Sequence, residues 1–207
     1  MKKYVMEFIG TFFLVFVVGL CVVGIGAGAM APLAIGSILM VMVFAGGHIS
    51  GAHYNPAVSL AVWMRGKLEG KDLPGYWAAQ FIAAVVAAIL VGYLKQGSLI
   101  TASEPNMCHA LMVELIFTFA LAFVVLNVAT SKGTAGNSFY GLAIGFTVMA
   151  SAYAAGPISG GAFNPAVALG ITIMGLSPVK MLLVFLIGNF AGGALAAIVY
   201  KFLNPPN

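Results

Sequence analysis

Asn55-Pro56-Ala57 and Asn164-Pro165-Ala166 are two copies of one short sequence. The first follows His48-Ile49-Ser50-Gly51-Ala52-His53-Tyr54 and precedes Val58. The second follows Pro157-Ile158-Ser159-Gly160-Gly161-Ala162-Phe163 and precedes Val167. Asn is among the best helix N-cap residues, because its side-chain oxygen accepts a backbone N–H of the first turn. Pro suits the first helical position, where no N–H is needed. Each Asn can therefore cap a helix and still offer an amide N–H to a passing solute. Ala57 and Ala166 are small enough for two helix tips to meet. Both tips would carry the positive ends of helix dipoles, which together repel cations. An ordinary turn before a helix accounts for one such copy. Two copies at matching places in a repeated chain argue for a shared role.

The elements that must hold these residues are those of a membrane protein. The chain has 207 residues, 62% hydrophobic and 7% charged, where a soluble domain carries about a quarter charged. Mean hydropathy is +1.08. Six long apolar runs lie at roughly 4–27, 33–50, 75–94, 109–130, 138–156 and 178–202. The first contains Glu7 and no small-residue cleavage site, so it reads as a span and not as a signal peptide. Pro56 to Met64 and Pro165 to Met174 are too short to cross. Nine or ten helical residues reach about half of a ~30 Å core, so these are half-helices. The preceding stretches, Gly47 to Tyr54 and Gly156 to Phe163, read as non-helical backbone, tolerated at membrane depth where it is buried or lines a wet cavity.

The two halves repeat. An offset of 107 places Glu7 to Phe12 on Glu114 to Phe119. An offset of 109 places Leu33 to Gly36 on Leu142 to Gly145, Asn55 on Asn164 and Gln80 on Asn189. Three spans per half make the repeat inverted, which puts a solute path at the midplane between broken helices. The expectation is an all-α membrane protein: one domain over 1–207, two inverted repeats (1–100 and 108–207), six transmembrane helices and two half-membrane helices. Gln96 to Met107 is the linker. With a cytoplasmic amino terminus, Lys2, Lys3, Arg65, Lys67, Lys71, Lys132 and Lys201 are inside, and Lys95 and Lys180 outside. A pI near 9.1 does not indicate nucleic acid, because the cations sit singly between apolar runs. Cys21 and Cys108 are too few for a disulfide framework and read as packing residues. No metal site or cofactor is expected.

The chain resembles the aquaporin, or major intrinsic protein, family over nearly its whole length. The resemblance rests on Glu7 with Thr11, Ser50-Gly51-Ala52-His53 through Asn55-Pro56-Ala57-Val58, Gln80, Glu114, and Gly160 through Ala166. It implies a homotetramer with a pore in every subunit, passing water or small neutral solutes and rejecting ions and protons. It implies that Glu7 and Glu114 support the pore-lining loops from inside their spans. Gln80 and Asn189 would play related polar roles, and His53 would pack beneath the first loop. His48 is placed at the inner mouth, as a static polar lining residue or a pH sensor. His109 is expected to cap the fourth span.

Spacing from the two Asn residues maps the family's outer selectivity filter onto Ile35, Ala152, Gly161 and Val167. Family members of the water and glycerol classes have Arg at the last position; here it is Val167, matching Val58 of the first repeat. Without the Arg the filter should be wide and apolar, and ion exclusion weaker. Tyr153 or Phe163 filling the gap is the alternative. Some opened-filter relatives carry metalloid acids; arsenite and boric acid are neutral polyols that resemble glycerol. Ala168, where glycerol channels have Asp, and the short link at Gly175 to Pro178 instead suit a compact water channel. Three readings follow: a channel for water plus glycerol-like solutes or metalloid hydroxides, a strict water channel with an atypical filter, or a non-conducting structural membrane protein, for which short loops leave little surface. Enzymatic chemistry is not expected. A bacterial inner membrane with both termini cytoplasmic is the expected location.

Overall fold

The computed structural model describes residues 1–100, 102 and 104–205; part of the Gln96 to Met107 linker lies outside them. Among the described residues there are eight α-helices and no strand. They are α1 (Lys2–Val22), α2 (Ala31–Ser50), α3 (Pro56–Met64), α4 (Leu73–Leu94), α5 (Met107–Thr130), α6 (Tyr140–Ser159), α7 (Pro165–Ile173) and α8 (Val179–Leu203). Six are long and apolar enough to cross a membrane. The other two, α3 and α7, have nine residues each. The fold is the expected all-α membrane architecture.

The packing repeats with the sequence. α1 packs on α4 as α5 packs on α8, and α2 meets α6 between the halves. α3 lies against α5 and α8 of the other half, and α7 against α1 and α4. Each half-helix is thus held mainly by the opposite repeat, with further contact to its own, α3 to α4 and α7 to α8. Hydrocarbon gives helices no hydrophobic reason to associate, so close approach of small residues does the packing. The buried side of α4 carries Ala83, Ala84, Ala87 and Ala88, and that of α8 carries Gly188, Gly192, Gly193, Ala196 and Ala197. The outward side of α4 carries Ile82, Val86, Ile89 and Tyr93, all exposed apolar groups suited to lipid or to another subunit.

Several boundaries differ from the sequence reading. α1 stops at Val22, because the chain turns at Gly24 with φ +64°. α2 continues through Ser50 and α6 through Ser159, so the non-helical stretches are only residues 51–54 and 160–163. Both helices end on a left-handed glycine, Gly51 at φ +85° and Gly160 at φ +97°, whose N–H bonds back to Gly47 or Gly156. Pro157 sits inside the last turn of α6, where its fixed φ is already helical. The cap of α5 is Asn106, which accepts from the N–H of Cys108 and His109; His109 itself is exposed. Neither cysteine is a core residue: Cys108 is exposed and Cys21 half-buried.

Candidate functional site

The two short loops are shaped by backbone geometry. Ala52, Tyr54 and Phe163 have φ of +52°, +48° and +47°, and Gly161 has +70°. Left-handed non-glycine residues cost about 1–3 kcal/mol each and persist only where surroundings hold them. Here two buried carboxylates do so. Glu7 accepts from the N–H of His53 (2.9 Å) and Tyr54 (2.7 Å), the Ser50 hydroxyl (2.7 Å) and the Gln80 amide (2.8 Å). Glu114 accepts from Ala162 N–H (2.9 Å), Phe163 N–H (2.7 Å), the Ser159 hydroxyl (2.8 Å) and the Asn189 amide (2.7 Å). The two sets are the same four contacts in each repeat.

Around that shared core the repeats differ. His53 Nδ1 lies 3.0 Å from Ser59 Oγ, and Gln80 also donates to Ser59 (2.9 Å). The second repeat has Ala162 and Ala168 at these positions. Sequence reading passed over Ser50 and Ser159 as loop supports, although their matching place in the two motifs was a signal. It also passed over Tyr76, whose hydroxyl donates to Ser50 O (2.6 Å), and Trp77, whose indole donates to Pro56 O (3.0 Å). Thr11 is fully buried and its hydroxyl has no partner.

Asn55 and Asn164 cap α3 and α7 as expected. Asn55 Oδ1 accepts from Ala57 N–H (2.9 Å) and Val58 N–H (3.4 Å); Asn164 Oδ1 accepts from Ala166 and Val167 at the same distances. Their amide nitrogens cross between the repeats. Asn55 Nδ2 donates to Phe163 O and Asn164 Nδ2 to Tyr54 O, both at 2.9 Å. An amide nitrogen has two hydrogens. One is used in the crossed bond, which leaves the other without a protein partner. Pro56 and Pro165 occupy the first helical positions, and Ala57 and Ala166 are fully buried where the tips meet.

Both asparagines border a cavity of about 620 Å³ that reaches the end of the bundle formed by Gly24 to Pro32 and Ser177. Ile35, Ala152, Gly161 and Val167 all line it. Neither candidate for the missing Arg takes its place. Tyr153 is 50% exposed and does not border the cavity. Phe163 borders it, but its ring is 1% exposed and packs on Phe117 at 5.6 Å. His48 is exposed in the last turn of α2 and does not border the cavity. Cys21, read as a packing residue, is part of the cavity wall near its outer mouth.

A model of the family described as major intrinsic protein matches residues 1–200. The chain belongs to the major intrinsic protein family. It is 37% identical to Aquaporin NIP1-4 of Oryza sativa subsp. japonica over 206 residues, covering 95% of this chain and 75% of that one. With Putative aquaporin NIP4-1 of Arabidopsis thaliana it shares 33% identity, covering 98% of this chain and 74% of the relative. The X-ray structure of the aquaglyceroporin from Plasmodium falciparum superimposes with a TM-score of 0.80, covering 99% and 97% of the two chains; at 24% identity this speaks to fold alone. The major intrinsic protein architecture explains the duplicated caps, because each half-helix needs its tip desolvated and paired at mid-membrane. The named relatives are plant proteins, so they give the expected bacterial inner membrane no support; what stands is a multi-pass membrane protein.

Proposed function

We propose that this major intrinsic protein is a passive channel for water and small neutral solutes, with a wide apolar outer filter that admits glycerol-like solutes or metalloid hydroxides. The observation that carries this reading is Val167 in the cavity wall beside Ala152 and Gly161, where an Arg would fill space, donate hydrogen bonds and fix a positive charge. Ile35 completes the filter. A pore of this kind selects by size, by the paired Asn55 and Asn164 amides, and by the positive ends of α3 and α7. Glu7, Glu114, Gln80 and His53 are the loop supports, and His48 belongs to the inner mouth. The relatives named aquaporins support water as cargo for this chain as well.

The lipid-facing apolar surface suits a homotetramer with one path per subunit. The gathering of Lys2, Lys3, Arg65, Lys67, Lys71, Lys132 and Lys201 at one end of the spans supports a cytoplasmic side for both ends of the described bundle. Transport and not catalysis is the activity. The test is stopped-flow light scattering on proteoliposomes with water, glycerol, urea and boric acid. Water and glycerol fluxes well above empty liposomes are expected. Water flux alone would assign a strict water channel, and no flux of either would support a structural role.

A further inference from the structure

The inverted repeat gives the outer filter a mirror image. The offset of 109 that superimposes the two Asn residues carries Ile35 onto Ile144, Val43 onto Ala152, Ala52 onto Gly161 and Val58 onto Val167. Ile144, Val43, Ala52 and Val58 are therefore the repeat counterparts of the filter on the inner side of the asparagines; Ile144, Ala52 and Val58 line the cavity, and Val43 is buried on α2 without lining it. Two positions are identical in the two rings. At the other two the inner ring is bulkier: Val43 carries two methyls on the carbon where Ala152 ends, and Ala52 has a side chain where Gly161 has none.

Burial agrees with composition. Three of the four filter residues, Ile35, Ala152 and Gly161, are half-buried. All four inner residues are buried, with Ile144 at 4%, Val43 at 2%, Ala52 at 5% and Val58 at 1% exposure. The cavity opens outward past Gly24 and Ser177, but inward it stops at this level. Ile144, Ala52 and Val58 border it, whereas the inner ends of α2, α5 and α6 (residues 44–50, 126–130 and 140–143) do not.

We propose that this inner apolar ring, and not the outer filter, is the tightest point of the path and sets the size limit for solutes. The inference rests on the cavity being the solute path. A neutral polyol crosses the open outer filter, exchanges water for the asparagine amides, and must then pass Ile144 and Val58, where the polar side chain in the lining is His53, already held by Ser59. The ring thus selects compact neutral hydroxyl compounds by girth. Close packing explains why a methyl or two decides the matter, since neither ring can yield without moving a helix.

The test measures glycerol and erythritol flux, with water flux as the control for folded channels, in proteoliposomes of wild type, Ile144→Ala and Ile35→Ala. Ile144→Ala is expected to raise the erythritol-to-glycerol ratio several-fold, and Ile35→Ala to leave it near wild type. If Ile144→Ala yields no folded protein, the milder Ile144→Val makes the same comparison. An unchanged ratio on shortening Ile144, or an equal or larger gain from Ile35→Ala, overturns the proposal. Wild type that conducts neither water nor glycerol defeats the channel reading itself; a conducting wild type insensitive to Ile144 defeats only the ring.

Discussion

At the scale of single residues, Glu7 and Glu114 are the most consequential groups. Each takes four hydrogen bonds from donors that have no water to fall back on. Glu114→Ala would strand the N–H groups of Ala162 and Phe163, the Ser159 hydroxyl and the Asn189 amide. Each stranded donor costs about 1–3 kcal/mol. The variant should lose most of its folded population, read as a collapse of the detergent-solubilised melting transition. Retention of the wild-type melting temperature would refute the role. Val167 bears on selectivity instead. Val167→Arg should lower the glycerol-to-water flux ratio in proteoliposomes, since a guanidinium narrows the outer opening below the inner ring; an unchanged ratio would place solute discrimination elsewhere.

At the scale of elements, helix contacts depend on positions where a side chain would collide. A Cβ on Gly193 of α8 would lie 2.6 Å from Ala57 O at the tip of α3. Gly193→Ala should therefore push that tip away, at about 1–3 kcal/mol for overpacking. Gly92 of α4 is also helical, but nothing lies within 4 Å of its Cβ position. Gly92→Ala should be neutral or stabilise by up to about 1 kcal/mol through lower backbone entropy. Thermal unfolding of the two variants side by side separates contact from propensity; equal shifts would contradict the close approach of α8 and α3. Tyr54 belongs to this scale too. Its ring fills the space left by Gly10 and Gly46, and its hydroxyl donates to Met42 O at 3.0 Å, so one loop residue ties α1 and α2 together.

At the scale of the whole molecule, the inner ends of α1 and α4 are joined by Asp72, which pairs with Lys3 and accepts from the Tyr4 hydroxyl at 2.8 Å. The hydrogen bond from Lys3 holds the Asp72 carboxyl below its usual range, with the Tyr4 bond adding to it. A depressed carboxylate contributes its stability above the unfolded value, about pH 4, and loses it as pH falls through the folded value. Asp72→Asn should lower the melting temperature at neutral pH and flatten its decline on acidification. A variant whose acid limb parallels wild type would show that the pair contributes nothing. Lys3 and Asp72 are 69 residues apart, and no local pattern in the chain announced their contact.

The sequence by itself determined the class of this protein. Apolar length and the matching offsets gave spans, half-helices and inverted halves, because those features follow from local helical geometry and from what lipid permits. It also placed both caps, since a cap acts within three residues of itself. Its boundaries failed where αL glycines let α2 and α6 run three to four residues deeper than the polar motif suggested. Only the tertiary structure decided how the repeats engage. The bonds from Asn55 to Phe163 and from Asn164 to Tyr54 span 108 and 110 residues and exist only once both loops fold inward. Tertiary packing also decided that neither Tyr153 nor Phe163 occupies the place of the missing Arg. The greater bulk of Val43 and Ala52 than of Ala152 and Gly161 was written in the residue types, but only packing brought Ile144, Ala52 and Val58 to the wall of one cavity. Chain-distant side chains share a constriction through packing, and packing has no period in the sequence.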